Sequence, residues 1–186
     1  LLEEHDSSLR NGADQRRAER RMIEEVDTLW RTAPLRAEKP SPTDEVRSVM
    51  RDLKAFGVPA LVLSGGEPLL RKDIFEIAAH AKRMGFYAAL STNGTLIDVP
   101  LAMRVRDTGF DYAGISLDGL EETHDRFRRK QGAFAKSLGA LRLLRDMGVK
   151  VGVRFTLTRD NAADFEPLLD LVDAERIPRF YFSHLN

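Results

Sequence analysis

The chain has 186 residues, 42% of them hydrophobic and 31% charged, which predicts one domain with a sizeable core. Basic and acidic residues both total 29, so the formal net charge is zero and a broad nucleic-acid-binding surface is not indicated. No apolar run is long enough to span a bilayer and no signal-peptide pattern opens the chain, so we expect a soluble cytoplasmic protein.

The first 42 residues are predicted to differ from the rest of the chain. Residues 1–13 are polar and aperiodic, which is typical of a mobile tail. Asp14 is a candidate N-cap for an amphipathic helix that ends near Trp30. The apolar residues of this helix recur at helical spacing: Ala18, Met22, Val26 and Leu29. Residues 31–42 contain three prolines and predict an extended connection.

From Thr43 to the end, helical patterns alternate with short β-prone runs. A first helix begins at Thr43 and Asp44 and stops at Gly57. The predicted strands are residues 60–63, 87–91, 112–117, 150–157 and 179–183. The later helices are residues 73–84, 99–107, 133–147 and 163–174. This alternation predicts an α/β fold with a parallel sheet, and both a partial barrel and an open sheet satisfy it.

The stretch Leu61-Val62-Leu63-Ser64-Gly65-Gly66-Glu67-Pro68 is the strongest local signal. An apolar strand ends there in two glycines, which let a ligand approach the main chain because they carry no Cβ. Pro68 fixes φ and lacks an N–H, and Glu67 places a charge at the strand end. In a parallel barrel, ligands collect at such carboxyl ends. An ordinary Gly-Gly-X-Pro turn is the alternative interpretation.

Polar groups also follow the other predicted strands. The loops are residues 91–95, 116–119, 156–161 and 183–186, which contain serines, threonines, asparagines, Asp118 and His184. Because the carboxyl ends of parallel strands meet at one edge, we expect these loops to converge on one polar ligand.

Three of these loops resemble those of the radical S-adenosylmethionine (radical SAM) enzymes. The motifs are Gly65-Gly66-Glu67-Pro68, Thr92-Asn93-Gly94 and Ser116-Leu117-Asp118-Gly119. The sequence of residues 43–186 is most similar to the members that modify tetrapyrroles in haem d1 biosynthesis. The segments that carry this similarity include FYAALSTNGTLID, GISLDG and GVKVGVRFTLTRDN. The resemblance implies a partial TIM-like (β/α) barrel over residues 43–186, with residues 1–42 outside the family pattern.

The resemblance also implies roles for single residues. Gly65, Gly66 and Glu67 would bind the methionyl amino group of S-adenosylmethionine. Ser116 and Arg128 would reach its ribose or carboxylate. Leu185 would contact the adenine, and Thr92 and Asn93 would serve the cofactor or the substrate. Arg129 and His184 are candidate contacts to a tetrapyrrole substrate.

In that family a 4Fe-4S cluster, held by three cysteines after the first strand, cleaves the cofactor to a 5′-deoxyadenosyl radical, with electrons from a flavodoxin or ferredoxin. This chain has no cysteine, so it cannot supply thiolates to the cluster. The family's first strand and cysteine loop should fall between Trp30 and Thr43, where the chain is short and proline-rich. A natural deletion, an engineered or incomplete chain and a different reading frame would each explain the departure.

Three functions therefore remain open. The first is a radical enzyme of tetrapyrrole side-chain modification, and the second is an inactive remnant that binds S-adenosylmethionine or a partner. The third is a phosphate-binding βα enzyme that uses Gly65 and Gly66 at a helix N-terminus. Glu67 and Pro68 disfavour this third function. A phosphate needs N–H donors, but Glu67 brings a negative charge there and Pro68 has no N–H to donate.

Several other residues have two interpretations. The basic cluster Arg126, Arg128, Arg129 and Lys130 is either a site for propionates or a solvated helix face. His124 and His184 are either a proton donor or iron ligand, or are simply hydrogen-bonded in place. Asp118 either binds ligand or pins its own loop. The edge of strand 60–63 is predicted to be covered by the helix of residues 16–30.

Overall fold

The computed structural model describes residues 43–184, in which helices and parallel strands alternate. The strands are β1 (Ala60–Leu63), β2 (Tyr87–Thr92), β3 (Tyr112–Ser116), β4 (Val151–Leu157) and β5 (Phe180–His184). The helices are α1 (Thr43–Ala55), α2 (Ile74–Arg83), α3 (Val99–Thr108), α4 (Glu121–Arg128), α5 (Ala133–Asp146) and α6 (Phe165–Ala174). Short 3-10 turns, Pro68–Leu70 and Ala162–Asp164, follow β1 and β4.

The five strands form one sheet in the order β1-β2-β3-β4-β5, and every pair is parallel. Each successive strand lies beside the one before it, as repeated βα units with crossovers of one hand require. This is a half-barrel, and it confirms the predicted α/β fold.

Apolar residues of one sheet face build the main core beneath the helices. Leu90 of β2, Ile115 of β3 and Val153 of β4 pack there against Leu141 and Leu144 of α5. The middle strand is buried along most of its length, because other strands flank it and helices cover it. The opposite sheet face, which we call the inner face, carries the alternate residues of each strand.

Helix α4 was not predicted, and its sequence explains why. Glu121–Arg128 contains six charged or histidine residues, and His124 is its buried residue. The helix ends at Arg129, which has a left-handed backbone with φ of 52°. Asp125 then accepts hydrogen bonds from the N–H groups of Gly132 and Phe134 and so caps the start of α5.

Several predictions concern residues outside the described range. These are the tail, the helix of residues 14–30 and its packing on the edge of β1, the connection of residues 31–42, and Leu185. Within residues 43–184, no helix is both long enough and apolar enough to cross a bilayer.

Candidate cofactor-binding site

The loop after β1 presents bare main chain at the carboxyl edge of the sheet. Gly65 has φ of 137°, a conformation that L side chains rarely adopt. A Cβ added at either Gly65 or Gly66 would meet no described atom within 4 Å. The space in front of these two residues is therefore open to a ligand.

The Glu67 carboxylate is engaged by neighbouring loops. Its Oε1 accepts hydrogen bonds from the Thr92 hydroxyl at 2.7 Å and the Leu69 N–H at 3.1 Å, and its Oε2 accepts one from the Asn93 N–H at 2.8 Å. The side chain thus ties the loop after β1 to the loop after β2. Of the three residues predicted to contact the cofactor, Gly65 and Gly66 face open space, whereas the Glu67 carboxylate is occupied by these hydrogen bonds.

Thr92 and Asn93 mainly organise their own loop. Thr92 is 2% exposed, and its hydroxyl also accepts a hydrogen bond from the Gly94 N–H. The Asn93 side-chain oxygen accepts from the N–H and hydroxyl of Thr95, and its carbonyl accepts from the Ser137 hydroxyl of α5. The side-chain nitrogen of Asn93, Nδ2, has no hydrogen-bond partner among residues 43–184, which leaves it as a donor for a ligand.

Asp118 lies at the centre of the loop after β3 and is fully buried. Its Oδ1 accepts a hydrogen bond from the Thr156 N–H at 2.9 Å, and its Oδ2 forms an ion pair with the Arg128 guanidinium. The ion pair brings Arg128 from α4 to the end of β3, where Ser116 lies. The Asp118 carboxylate therefore ties the loop to β4 and α4, rather than bonding to its own loop as the predicted Asx-type turn would.

His124 holds the same loop from the other side. Its Nδ1 accepts a hydrogen bond from the Asp118 N–H at 2.9 Å, so the ring proton of the neutral form lies on Nε2. Burial lowers the pKa of His124, and the nearby Arg128 charge acts in the same direction while Asp118 opposes it. The histidine is therefore neutral, and from α4 it holds the loop through one hydrogen bond.

Asn161, which sequence reasoning included only as the end of a polar loop, joins the loops after β3 and β4. It is 1% exposed, and its amide nitrogen donates to the carbonyls of Asp118 and Thr156. Its side-chain oxygen accepts from the N–H and hydroxyl of Thr158. The only sequence signal was an asparagine in a turn, and such a residue usually bonds to its own loop alone.

The remaining predicted residues divide into two groups. Ser116 is half-buried at the end of β3, and its hydroxyl has no hydrogen-bond partner within the described range. Arg129 and His184 are exposed, the first at the end of α4 and the second at the end of β5 opposite Leu157. Within the described residues, neither side chain forms a hydrogen bond or an ion pair with Asp118 or Arg128.

These groups fit one of the two cofactors that the resemblance implies. S-adenosylmethionine needs open main chain for its amino group and donors for its hydroxyls and carboxylate. Gly65, Gly66, Ser116 and Arg128 supply these. The 4Fe-4S cluster does not fit, because the chain has no cysteine. Within residues 43–184, no three histidine, aspartate or glutamate side chains are grouped so that they could hold a metal ion.

Comparison with protein families and curated proteins identifies relatives of this chain. The family model "Radical SAM superfamily" matches residues 22–172. The chain is 46% identical over 143 residues to Fe-coproporphyrin III synthase of Methanosarcina barkeri, covering 77% of this chain and 36% of that protein. It is 47% identical over 141 residues to pre-heme d1 synthase of Dinoroseobacter shibae, covering 76% of this chain and 35% of that protein. The chain thus spans about a third of the length of these relatives.

Solved structures share the fold. Streptococcus suis SuiB bound to its precursor peptide SuiA matches with a TM-score of 0.71 at 17% identity, over 83% of this chain and 35% of that one. The structure of anSMEcpe with bound AdoMet matches with a TM-score of 0.68 at 21% identity, over 82% of this chain and 45% of that one. With the family model covering most of the sequence, the chain belongs to the radical SAM superfamily.

Proposed function

We propose that this chain forms the S-adenosylmethionine-binding part of a radical SAM enzyme that modifies the side chains of a tetrapyrrole. The observation that carries the cofactor part is the open main chain of Gly65 and Gly66, at the same sheet edge as the Ser116 hydroxyl and the Arg128 guanidinium. The tetrapyrrole part is supported by the names of the two relatives, a coproporphyrin and a heme d1 enzyme.

Each residue has a definite task in this proposal. Main-chain carbonyls of Gly65 and Gly66 accept hydrogen bonds from the methionyl ammonium, and Glu67 fixes that loop on its neighbour. Ser116 and Arg128 donate to the ribose or the carboxylate, with Asp118 and His124 holding Arg128 and the loop in place. When bound and reduced by one electron, S-adenosylmethionine supplies the hydrogen-abstracting radical of this family.

This chain has no cysteine to ligate an iron–sulfur cluster. The same fact favours a second candidate function, in which the chain binds S-adenosylmethionine without cleaving it. Only the first candidate function, the radical enzyme, would need an electron donor such as a flavodoxin or ferredoxin.

Calorimetric titration with S-adenosylmethionine tests the cofactor site that both candidates share. Gly66→Val should weaken binding by crowding the main chain, and its open surroundings should leave stability unchanged. Ser116→Ala should weaken binding about fivefold or more, the usual effect of losing one hydrogen bond. Ser48→Ala on α1 is the matched control and should bind as the unaltered chain does.

The titration can also contradict the proposal. If the unaltered chain keeps its near-ultraviolet circular dichroism but binds no S-adenosylmethionine at millimolar concentration, the chain has no cofactor site of its own. Unchanged affinity in both Gly66→Val and Ser116→Ala would place the ligand elsewhere on the molecule.

A further inference from the structure

A second concave region lies on the inner face of the half-barrel, and one of its residues, Arg154, is the strand partner of Ser116. It is a cavity of about 460 Å³, within the range of small-molecule sites, and residues from all five strands line it. Two arginines, Arg154 and Arg179, and three tyrosines, Tyr87, Tyr112 and Tyr181, supply its polar groups. Small apolar residues of β1 and β2 form the rest of the lining.

Two glycines make room for these large side chains. A Cβ at Gly114 of β3 would lie 2.8 Å from the Arg154 Cδ, so the arginine stem rests on bare main chain. A Cβ at Gly152 of β4 would overlap the Tyr112 hydroxyl and lie 2.9 Å from the Arg179 Cβ. The arrangement of both arginines and Tyr112 therefore depends on glycine at two neighbouring strand positions.

The arginines of the pocket have no carboxylate partner among the described residues. Arg154 lies within β4 between β3 and β5 and is exposed at the inner face, where its guanidinium is open to a ligand. Arg179 lies over the Tyr112 ring, with its guanidinium carbon 5.5 Å from the ring centroid. No aspartate or glutamate is among the described residues that line the cavity. By contrast, Arg142 and Arg145 on α5 both pair with Glu175.

The Tyr112 hydroxyl is a further unused donor. It is buried and has no hydrogen-bond partner within residues 43–184. Burial, with a smaller contribution from Tyr181, raises the pKa of Tyr112 to about 12, so the phenol keeps its proton at neutral pH. A ligand that accepts hydrogen bonds and carries negative charge would satisfy both this hydroxyl and Arg154.

We propose that the inner-face pocket binds a carboxylate arm of an organic anion that has a flat apolar body. Guanidinium groups bind carboxylates through two parallel hydrogen bonds, and the tyrosine rings with the small apolar residues offer a surface for the body. This inference rests on the proposed function, under which the arm is a propionate of the tetrapyrrole substrate. The methionyl carboxylate of the cofactor has the same chemistry, and the experiment separates the two sources.

The test is a titration of the full chain with coproporphyrin III, followed by porphyrin absorbance and fluorescence. Arg154→Gln should weaken binding about tenfold or more, as expected for losing a charge-assisted pair. Arg106→Gln removes the same charge from the outer helix α3 and should leave the affinity unchanged. The tetramethyl ester of coproporphyrin, which has the same ring without carboxylates, should bind weakly to all three proteins.

Tyr112→Phe is a second variant that removes one hydroxyl and keeps the ring, so it tests the pocket even if Arg154→Gln does not fold. It should weaken coproporphyrin binding about fivefold. Equal affinity for the acid and the ester would overturn the inference, as would unchanged affinity in both pocket variants.

A parallel titration with S-adenosylmethionine identifies the source of the carboxylate. If Arg154→Gln loses affinity for S-adenosylmethionine and not for coproporphyrin, the pocket serves the cofactor and the substrate assignment is overturned. If the unaltered chain binds S-adenosylmethionine but no coproporphyrin, this inference fails and the cofactor part of the proposed function stands.

Discussion

Glu67 shows how one side chain of a ligand-binding loop can act on the protein itself. Its carboxylate accepts three hydrogen bonds, from the N–H groups of Leu69 and Asn93 and from the buried Thr92 hydroxyl. All three donors lie in two loops that must stay in register if the Gly65–Gly66 main chain is to face its ligand. Glu67 is therefore a positioning residue for the site.

We expect Glu67→Ala to lower the free energy of unfolding by about 2–3 kcal/mol, because it leaves donors of two loops without their acceptor. Glu67→Gln should also destabilise, since one end of its amide would turn an NH₂ group towards an N–H donor. Urea denaturation measures both effects. Glu166→Ala, at an exposed position of α6, is the control and should cost less than about 1 kcal/mol. A similar loss in Glu67→Ala and Glu166→Ala would show that the loops hold together without the carboxylate.

His124 should make stability depend on pH. Burial lowers the pKa of His124 below its unfolded value of 6.5, so the unfolded chain binds the proton more readily than the folded chain does. The contribution of His124 is then fully present above about pH 6.5 and is lost as the pH falls below it. Asp118, Arg128 and Asp125 are the charged groups that act on the ring.

Thermal unfolding between pH 7.5 and about pH 5.5 measures this loss above the range in which most carboxylates titrate. His124→Asn is the matched variant, because its side-chain oxygen can accept the Asp118 N–H and does not titrate. We expect the melting temperature of the unaltered chain to fall more steeply with acid than that of His124→Asn. Parallel pH profiles would mean that the imidazole is protonated equally in both states.

At the scale of elements, the strand-end loops form one hydrogen-bonded unit rather than separate turns. Glu67 joins the first two loops, and Asn161 joins the loops after β3 and β4. Asp118 reaches the β4 main chain from the β3 loop. The carboxyl edge of the sheet is thus cross-linked by side chains, and this keeps the ligand-facing groups in fixed positions.

Asn161→Ala tests that cross-link. The variant removes the side-chain partner of two carbonyls, one of them buried, and of the Thr158 N–H, so we expect a loss of about 2–3 kcal/mol in urea denaturation. Asp160→Ala changes the exposed neighbour in the same loop and should be nearly neutral. If both variants unfold at the same urea concentration, the two loops are held by their main chains alone.

The elements themselves were largely predictable from the sequence. Every predicted strand and helix that falls within the described residues is present, because period-2 and period-3.6 patterns are strong in buried βα units. Helix α4 was not predictable from hydrophobic periodicity, because its charged sequence has no apolar stripe. The partners of Arg128 and Asp118 were also beyond sequence reasoning, as they depend on where α4 sits over the sheet.

For the whole molecule, the sequence predicts a parallel sheet, and the structure shows that this sheet is curved into a half-barrel. Alternation of strands and helices is the same in a barrel and in an open sheet, so the pattern alone could not decide between them. The inner-face pocket was missed for a related reason. Arg154 stands in a strand, and only the curved sheet shows that its side chain points into a cavity with Arg179.

The strand order also sets a gradient of local stability across the sheet. Within residues 43–184, β3 pairs with a strand on each side, whereas β1 pairs only with β2 and exposes 55% of Val62. Opening β1 breaks one ladder and uncovers little apolar surface, so it costs less free energy than opening β3. In hydrogen exchange followed by mass spectrometry, β1 peptides should therefore exchange on the order of tenfold faster than β3 peptides, or more. Equally slow exchange in both strands would show that the edge amides of β1 are covered in the full chain.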